Sequence, residues 1–197
     1  DPRARGRTND TLDTTFTRLM LEHAAARPEA AALREKEFGI WQTLTWNALA
    51  TLVRELACGL AEAGLQRGQH LVVIGENRPR LYASMLAAQS LGAIPVPLYQ
   101  DAAAAEFVFP LVNAEVAYAI VEDQEQVDKL LEMRARCPLL GRIWFDDARG
   151  LRNYRENGLA PLDALIGSGR EFNARQPGFF DAEVARTQPG DVAAMFF

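Results

Sequence analysis

Three short segments carry ionisable residues that could take part in chemistry, and each of them follows a predicted strand. Gly75-Glu76-Asn77 lies before a predicted helix, and the carboxylate pairs Glu122-Asp123 and Asp146-Asp147 follow two later strands. In open parallel sheets, ligands bind at the edge where the strands end, and helix N-termini attract anions. However, one glycine is too few for a backbone loop around a phosphate, and adjacent carboxylates rarely converge as a catalytic pair. We therefore interpret these segments as capped turns and solvated carboxylates.

Other residue types associated with catalysis are few and scattered. They are two histidines, two cysteines and two of the tryptophans, namely His23, His70, Cys58, Cys137, Trp41 and Trp46. No second ligand lies near either histidine, so a zinc site is unsupported, and we expect two free thiols in a reducing cytoplasm. We expect the two tryptophans to pack in a hairpin and a helix rather than to form a ligand cage. The sequence also lacks a hydrolase elbow, a Walker loop and a dinucleotide fingerprint.

Composition limits the classes of partner. The chain has 197 residues, 49% of them hydrophobic, and a net charge of -5. This is enough for one sizeable core, and the acidic balance argues against nucleic acid as a partner. No apolar stretch approaches the roughly 20 residues that cross a bilayer, and the polar N-terminus has no signal-peptide core. We expect residues 1–11 to be a mobile arm.

Hydrophobic periodicity predicts an α/β fold. The predicted elements are a helix over 12–27, a hairpin of strands 31–35 and 40–44, a helix over 46–63, strands over 71–74, 94–98, 116–121, 142–145 and 191–197, and helices over 79–91, 102–111, 124–136 and 162–166. Gly167 and Gly169 are read as loop residues. Strands that alternate with helices indicate a doubly wound, mostly parallel sheet with flanking helices, preceded by an N-terminal helix and a β-hairpin.

Side-chain caps and prolines add local detail to this fold. Asn77, Asp101 and Asp123 are predicted N-caps of three helices, as Thr45 is of the long helix before them. Pro95 and Pro97 are two residues apart, so both remove an N–H from the same side of one strand. That strand is therefore predicted to pair fully on only one side.

Several motifs, taken in order, resemble the N-terminal part of the AMP-forming acyl-CoA synthetases. Thr45-Trp46 resembles the start of the family's first long helix, residues 64–68 its G-L-x-x-G-D turn with Gln69 in place of Asp, residues 75–78 its x-x-x-N-R/S turn, and residues 91–98 its G-A-x-x-V-P-L strand. Residues 121–130 and 146–151 are similar to the long-chain fatty acid–CoA ligase branch in particular. The resemblance covers residues 12–197, which it implies are one N-terminal subdomain.

The resemblance implies an enzyme that activates a carboxylate with ATP and Mg²⁺ and then transfers the acyl group to CoA. The family's T-S-G-T-T-G-x-P-K-G loop does not occur in this sequence. We therefore expect no catalytic or metal-binding residue here, and we expect the 197 residues alone to be inactive. In relatives the loop after the strand over 94–98 faces the CoA channel, which implies Tyr99 and Gln100 as substrate- or CoA-binding residues.

Two alternatives to a long-chain fatty acid–CoA ligase stay open. One is another carboxylate-adenylating enzyme, which would use an aryl acid, a medium-chain acid or an amino acid. The other is a stand-alone, non-enzymatic α/β module that binds a partner. The expected partners are fatty acid, ATP and CoA in the cytoplasm, without nucleic acid, while peripheral membrane contact and a homodimer are left open.

Overall fold

A sheet of five parallel strands organises the computed structural model, which describes residues 14–197. The predicted arm over residues 1–11 lies outside the described residues. In chain order the elements are α1 (Phe16–Ala26), β1 (Ala31–Glu37), β2 (Ile40–Thr45), α2 (Trp46–Glu62), β3 (His70–Ile74), α3 (Pro79–Ser90), β4 (Ile94–Leu98), α4 (Val108–Asn113), β5 (Tyr118–Val121), α5 (Gln124–Met133), β6 (Arg142–Phe145), β7 (Leu159–Pro161), α6 (Leu162–Arg175) and α7 (Phe179–Arg186). Short 3₁₀ turns precede α4 and follow α5.

The sheet has the order β4-β3-β5-β6-β7, and β1 and β2 form a separate antiparallel hairpin. Alternate residues of β3 enter different cores. Leu71 and Val73 pack in the layer that contains α2, α3 and α6, whereas Val72 and Ile74 pack in the layer of α4 and α5. This alternation follows from the pleat, which points successive side chains to opposite faces. Helices thus cover both faces, and the predicted doubly wound fold is confirmed.

The two prolines of β4 act as predicted, because β4 is an edge strand that pairs with β3 alone. Its outer side offers carbonyl oxygens but no N–H at Pro95 or Pro97. Residues 191–197 pass beside this edge, where Met195 N donates to Pro95 O at 3.0 Å. They form no strand, so that prediction is wrong. An edge without donors cannot complete a ladder of hydrogen bonds.

Two of the predicted N-caps are confirmed and two are wrong. The side chains of Thr45 and Asp123 accept hydrogen bonds at the starts of α2 and α5. Arg78, not Asn77, is the N-cap of α3, since Pro79 at the first helical position holds the preceding residue in extended backbone. Asp101 caps no helix. The chain first enters its 3₁₀ turn at Ala104, where a neighbouring glutamate side chain bonds the Ala103 N–H.

The region after β6 is more helical than predicted. Gly167 and Gly169 lie inside α6, and neither β7 nor α7 was predicted. Gly169 has a packing role, because a Cβ there would lie 1.7 Å from the backbone oxygen of Glu55 in α2. The glycine lets two helices approach closely, which a reading based on loop propensity cannot detect. No helix within residues 14–197 is both long enough and apolar enough to cross a membrane.

Candidate functional site

The carboxyl ends of the parallel strands meet the β1–β2 hairpin, and this junction is the candidate functional site. The turn after β3, the loop after β4 and the segments after β5 and β6 all lie at this edge, because parallel strands end on the same side. Two adjoining clefts open here, of about 770 Å³ and 580 Å³, and both are lined by Glu35, Lys36 and Arg78. The larger cleft continues to the loop after β4, and the smaller one to the segment after β6.

Five charged side chains in the smaller cleft each contact a group of opposite charge. We call Arg78, Arg80, Glu122, Asp146 and Asp147 the edge cluster. Arg78 Nε donates to Glu122 Oε1 at 2.9 Å, and Arg80 Nη1 lies 2.7 Å from Asp146 Oδ1. The remaining acid, Asp147, accepts a hydrogen bond at its Oδ2 from the Nε of Arg149 at 2.6 Å. Each charge of the cluster therefore has an oppositely charged partner within the chain.

Burial separates the two aspartates of the edge cluster. The side chain of Asp146 is largely buried, and loss of hydration raises its pKa although the Arg80 guanidinium acts in the opposite direction. Asp146 Oδ1 accepts no hydrogen bond within residues 14–197, so its contact with Arg80 is a charge contact without hydrogen-bond alignment. The pKa of Asp147 is lowered, first by the hydrogen bond from Arg149.

The sequence reading missed this cluster. Adjacent carboxylates indeed diverge, because Asp123 caps α5 while Glu122 turns to Arg78. The carboxylates that come together belong to different pairs. Val121 of β5 is in register with Phe145 of β6, so the residues that follow them, Glu122 and Asp146, leave the sheet side by side. The sheet register would have revealed this, but register is not visible in one sequence.

The turn between β3 and α3 does not fit ATP. Its Glu76 N–H already donates to Glu122 Oε2 at 2.5 Å, and a Cβ on Gly75 would lie 2.5 Å from Leu81 Cδ1. A phosphate would meet carboxylates at this position instead of free N–H groups. Within the described part of the chain no group of three His, Cys, Asp or Glu residues could hold a metal ion. The turn after β3 therefore does not fit a triphosphate.

Tyr99 and Gln100, the predicted substrate- or CoA-binding residues, lie on the wall of the larger cleft. The side chain of Tyr99 is 84% exposed, and the backbone oxygen of Gln100 accepts a hydrogen bond from Lys129 Nζ. The loop is thus fixed to α5 through its backbone while its aromatic ring stays free. Ligand binding by these two residues stays a prediction.

The two hairpin-region tryptophans differ. Trp46 packs as expected, with its ring 4.6 Å from the ring of His23. The packing expected of Trp41 is wrong, because its side chain is 65% exposed and lines the larger cleft opposite the Tyr99 loop. Trp41 belongs to neither hydrophobic core, whereas Leu33 and Leu44 of the same hairpin pack against the layer of α2, α3 and α6.

The two cysteines take no part in the site. Cys58 and Cys137 are free, as predicted, and both are buried. Burial raises the pKa of the Cys58 thiol to about 11 and also raises the pKa of Cys137. Both thiols therefore stay protonated at neutral pH and act as packing groups.

Comparison with known protein families identifies the family that contains this junction of sheet and hairpin. The model of one family, described as AMP-binding enzyme, matches residues 20–197. The chain belongs to this AMP-binding enzyme family. The family match covers the central sheet, the hairpin and both clefts, so the candidate site lies wholly in the matched part of the chain.

Individual relatives agree with the family match. The chain is 33% identical over 117 residues to "Uncharacterized protein Rv1549" of Mycobacterium tuberculosis, which covers 59% of this chain and 65% of that protein. It is 22% identical over 179 residues to "Long-chain-fatty-acid--CoA ligase FadD15" of Mycobacterium bovis, which covers 91% of this chain but 28% of that protein. The chain thus spans less than two thirds of either relative.

A solved structure supports the fold. The acetoacetyl-CoA synthetase from Streptomyces lividans superposes with a TM-score of 0.68 at 21% identity. The match covers 76% of this chain and 24% of that chain. At this level of identity the likeness establishes the shared α/β fold.

Proposed function

We propose that the chain is the N-terminal part of an ATP-dependent, AMP-forming fatty acyl-CoA ligase. The parent enzyme would convert a long-chain fatty acid, ATP and CoA into acyl-CoA, AMP and pyrophosphate. The observation that carries the proposal is the similarity to FadD15 over 91% of this chain, within a family match over residues 20–197. In this proposal residues 12–197 form one subdomain of a cytoplasmic enzyme, for which the two free, buried thiols are suited.

The chemistry of adenylation is assigned to residues outside this chain. Charge develops on phosphoryl oxygens during the reaction, so the site needs cations, N–H donors and a metal. The edge cluster uses its arginines and the Glu76 N–H internally, and the sequence lacks the family's phosphate-binding loop. We therefore assign scaffolding to this chain, together with contacts from Tyr99 and Gln100 to CoA or substrate. The 197 residues alone are proposed to be inactive.

The second candidate is another carboxylate-adenylating enzyme with a different acid. It is supported by the match to acetoacetyl-CoA synthetase, whose fold this chain shares. A panel of acids separates the two candidates, because both release pyrophosphate but with different substrates. The panel would include palmitate, octanoate, benzoate and an amino acid.

The test is pyrophosphate release by the natural full-length polypeptide that contains this chain, with ATP, Mg²⁺, CoA and each acid. We expect the largest kcat/KM with palmitate and no turnover with residues 1–197 alone. A preference for benzoate or an amino acid would replace the first candidate with the second. No release with any acid would refute both, and turnover by the isolated chain would refute the scaffolding role.

A further inference from the structure

Three large apolar side chains project into solvent at the turn of the β1–β2 hairpin. They are Phe38, Ile40 and Trp41, which we call the hairpin tip, and they are 88%, 66% and 65% exposed. Among residues 14–197, none of the three belongs to a hydrophobic core or packs against one. A single exposed apolar residue needs no explanation, but several side by side mark an interaction surface.

The backbone of the turn places Phe38 at a position that aromatic residues disfavour. β1 ends at Glu37 and β2 begins at Ile40, so the turn consists of Phe38 and Gly39, with φ angles of 47° and 81°. Two-residue hairpin turns with positive φ at both positions favour asparagine followed by glycine. A bulky side chain is sterically disfavoured there. The fold therefore gains nothing from a phenyl ring at this position, and the ring points to a role outside the fold.

Charged side chains alternate in sign behind the hairpin tip. Residues 34–37 are arginine, glutamate, lysine and glutamate, so together they carry no net charge. Glu35 lies 3.8 Å from Arg78, which holds the hairpin against the sheet edge behind the tip. Lys36 is the direct cross-strand partner of Trp41, so a cation stands beside the exposed indole ring. The tip is thus an apolar end on a strand of balanced charge.

This combination fits a zwitterionic lipid surface. A bilayer accommodates a convex apolar tip without a preformed groove, which a protein partner would have to supply. Tryptophan favours the interface between lipid and water, because its ring is apolar and its N–H needs a polar partner. A zwitterionic headgroup carries one phosphate and one cationic amine, which match the alternating cations and carboxylates of residues 34–37. The net charge of -5 gives the chain no long-range attraction to anionic lipid.

We propose that the hairpin tip inserts into the surface of a zwitterionic lipid bilayer. Phe38 and Ile40 would enter the boundary between headgroups and acyl chains, and Trp41 would lie at the level of the headgroups. Trp41 lines the larger cleft and Phe38 the smaller one, so both clefts would open close to the lipid. Three side chains give reversible rather than permanent attachment. The inference is independent of the proposed function.

The test is binding of the natural full-length polypeptide that contains this chain to phosphatidylcholine vesicles, measured by co-sedimentation. We expect reversible binding that changes less than about twofold between low and high salt, because salt screens charge attraction but not apolar insertion. Vesicles that contain anionic phosphatidylglycerol should bind no more tightly. Lipids brominated on their acyl chains should quench Trp41, and the Trp41→Phe variant identifies the share of the signal that belongs to it.

Phe38→Asn separates lipid binding from folding. Asparagine suits a positive φ, so this variant should be at least as stable as the wild type in urea melts. It should bind phosphatidylcholine vesicles about tenfold or more weakly, because a phenyl ring removed from water contributes at least that factor. Weaker binding by a fully stable variant cannot be attributed to unfolding.

A matched control removes an exposed apolar side chain elsewhere. Leu139 is 56% exposed and lies in the turn before β6, at the opposite end of the sheet from the two clefts. The Leu139→Asn variant should bind phosphatidylcholine vesicles like the wild type. A loss equal to that of Phe38→Asn would show that general surface hydrophobicity, not the hairpin tip, causes the binding, and would overturn the inference.

Three further results would overturn the inference. They are no co-sedimentation at millimolar phosphatidylcholine, equal vesicle affinity of the wild type and Phe38→Asn, or binding to anionic vesicles alone that disappears at high salt. Analytical ultracentrifugation covers a protein partner. A dimer that Phe38→Asn dissociates, without any binding to vesicles, would assign the hairpin tip to a second copy of the chain and remove the lipid assignment.

Discussion

The edge cluster and the hairpin tip adjoin one another, yet one consists of paired charges and the other of uncovered apolar side chains. In the edge cluster every charged group lies beside an opposite charge of the chain, as in the contact of 2.9 Å between Arg78 and Glu122. In the hairpin tip Phe38, Ile40 and Trp41 are exposed, and within residues 14–197 they pack against neither core. Charges that are already paired hold the scaffold, whereas uncovered apolar side chains are available to a partner.

This difference also corrects a common expectation about parallel sheets. Their carboxyl edge is the usual place for a ligand, and perturbed carboxylates there suggest a functional site. Here the raised pKa of Asp146 is explained by burial alone, because its ion pair with Arg80 acts in the opposite direction. The candidate interaction surface lies instead on the hairpin, which is not part of the sheet.

The largest expected effect follows from removing Arg80. The Arg80→Ala change would leave the buried Asp146 carboxylate without its cation, and we expect the free energy of unfolding to fall by about 2–3 kcal/mol. Urea denaturation of the 197-residue chain measures this. Arg149→Ala is the matched control. It breaks an ion pair with Asp147 in which the arginine is 81% exposed, and urea denaturation should show little or no loss of stability. Equal losses in both variants would break the distinction between buried and exposed pairs.

The pH dependence of stability sharpens the same distinction. The native pKa of Asp146 is raised above the unfolded value of about 4. As pH rises through the range between these two pKa values, the native state keeps a proton that the unfolded state has lost, and stability falls. Above the native pKa, the ionised carboxylate continues to reduce stability. The stability of Asp146→Asn relative to wild type should increase between pH 4 and pH 7 in urea melts.

Asp147→Asn is the control for this pH series, with the opposite sign. The native pKa of Asp147 is lowered, so its carboxylate contributes stability above the unfolded pKa and loses that contribution as pH falls through the native pKa. The Asp147→Asn variant should therefore lose stability relative to wild type as pH rises toward 4. The same sign in both variants would contradict the assignment of burial to Asp146 and of pairing to Asp147.

Sequence patterns predicted most of the sheet because its strands are short apolar runs between clear helix signals. The bounds of β6 and the edge position of β4 followed directly, the latter from Pro95 and Pro97. The caps at Thr45 and Asp123 were also readable. Asn77 was not, since Pro79 determines where α3 begins.

The candidate site was less predictable because it depends on contacts between distant segments. Glu122 and Asp146 meet through the register of β5 and β6, and Arg78 meets both the hairpin and β5. Gly169 looked like a loop residue because the α2 surface that it contacts is more than 100 residues earlier in the chain. Tyr99 was indicated by family resemblance, and Trp41 became a candidate only when its exposure was known.

The most direct test of this division between scaffold and interaction surface is urea unfolding of the wild type and the Phe38→Asn variant, compared with their binding to phosphatidylcholine vesicles. The free energy of unfolding of the variant should equal that of the wild type or exceed it by up to about 1 kcal/mol, because asparagine suits the turn. Its affinity for vesicles should fall about tenfold or more. The division would be contradicted if the variant lost about 2 kcal/mol of stability, or if both proteins bound vesicles equally.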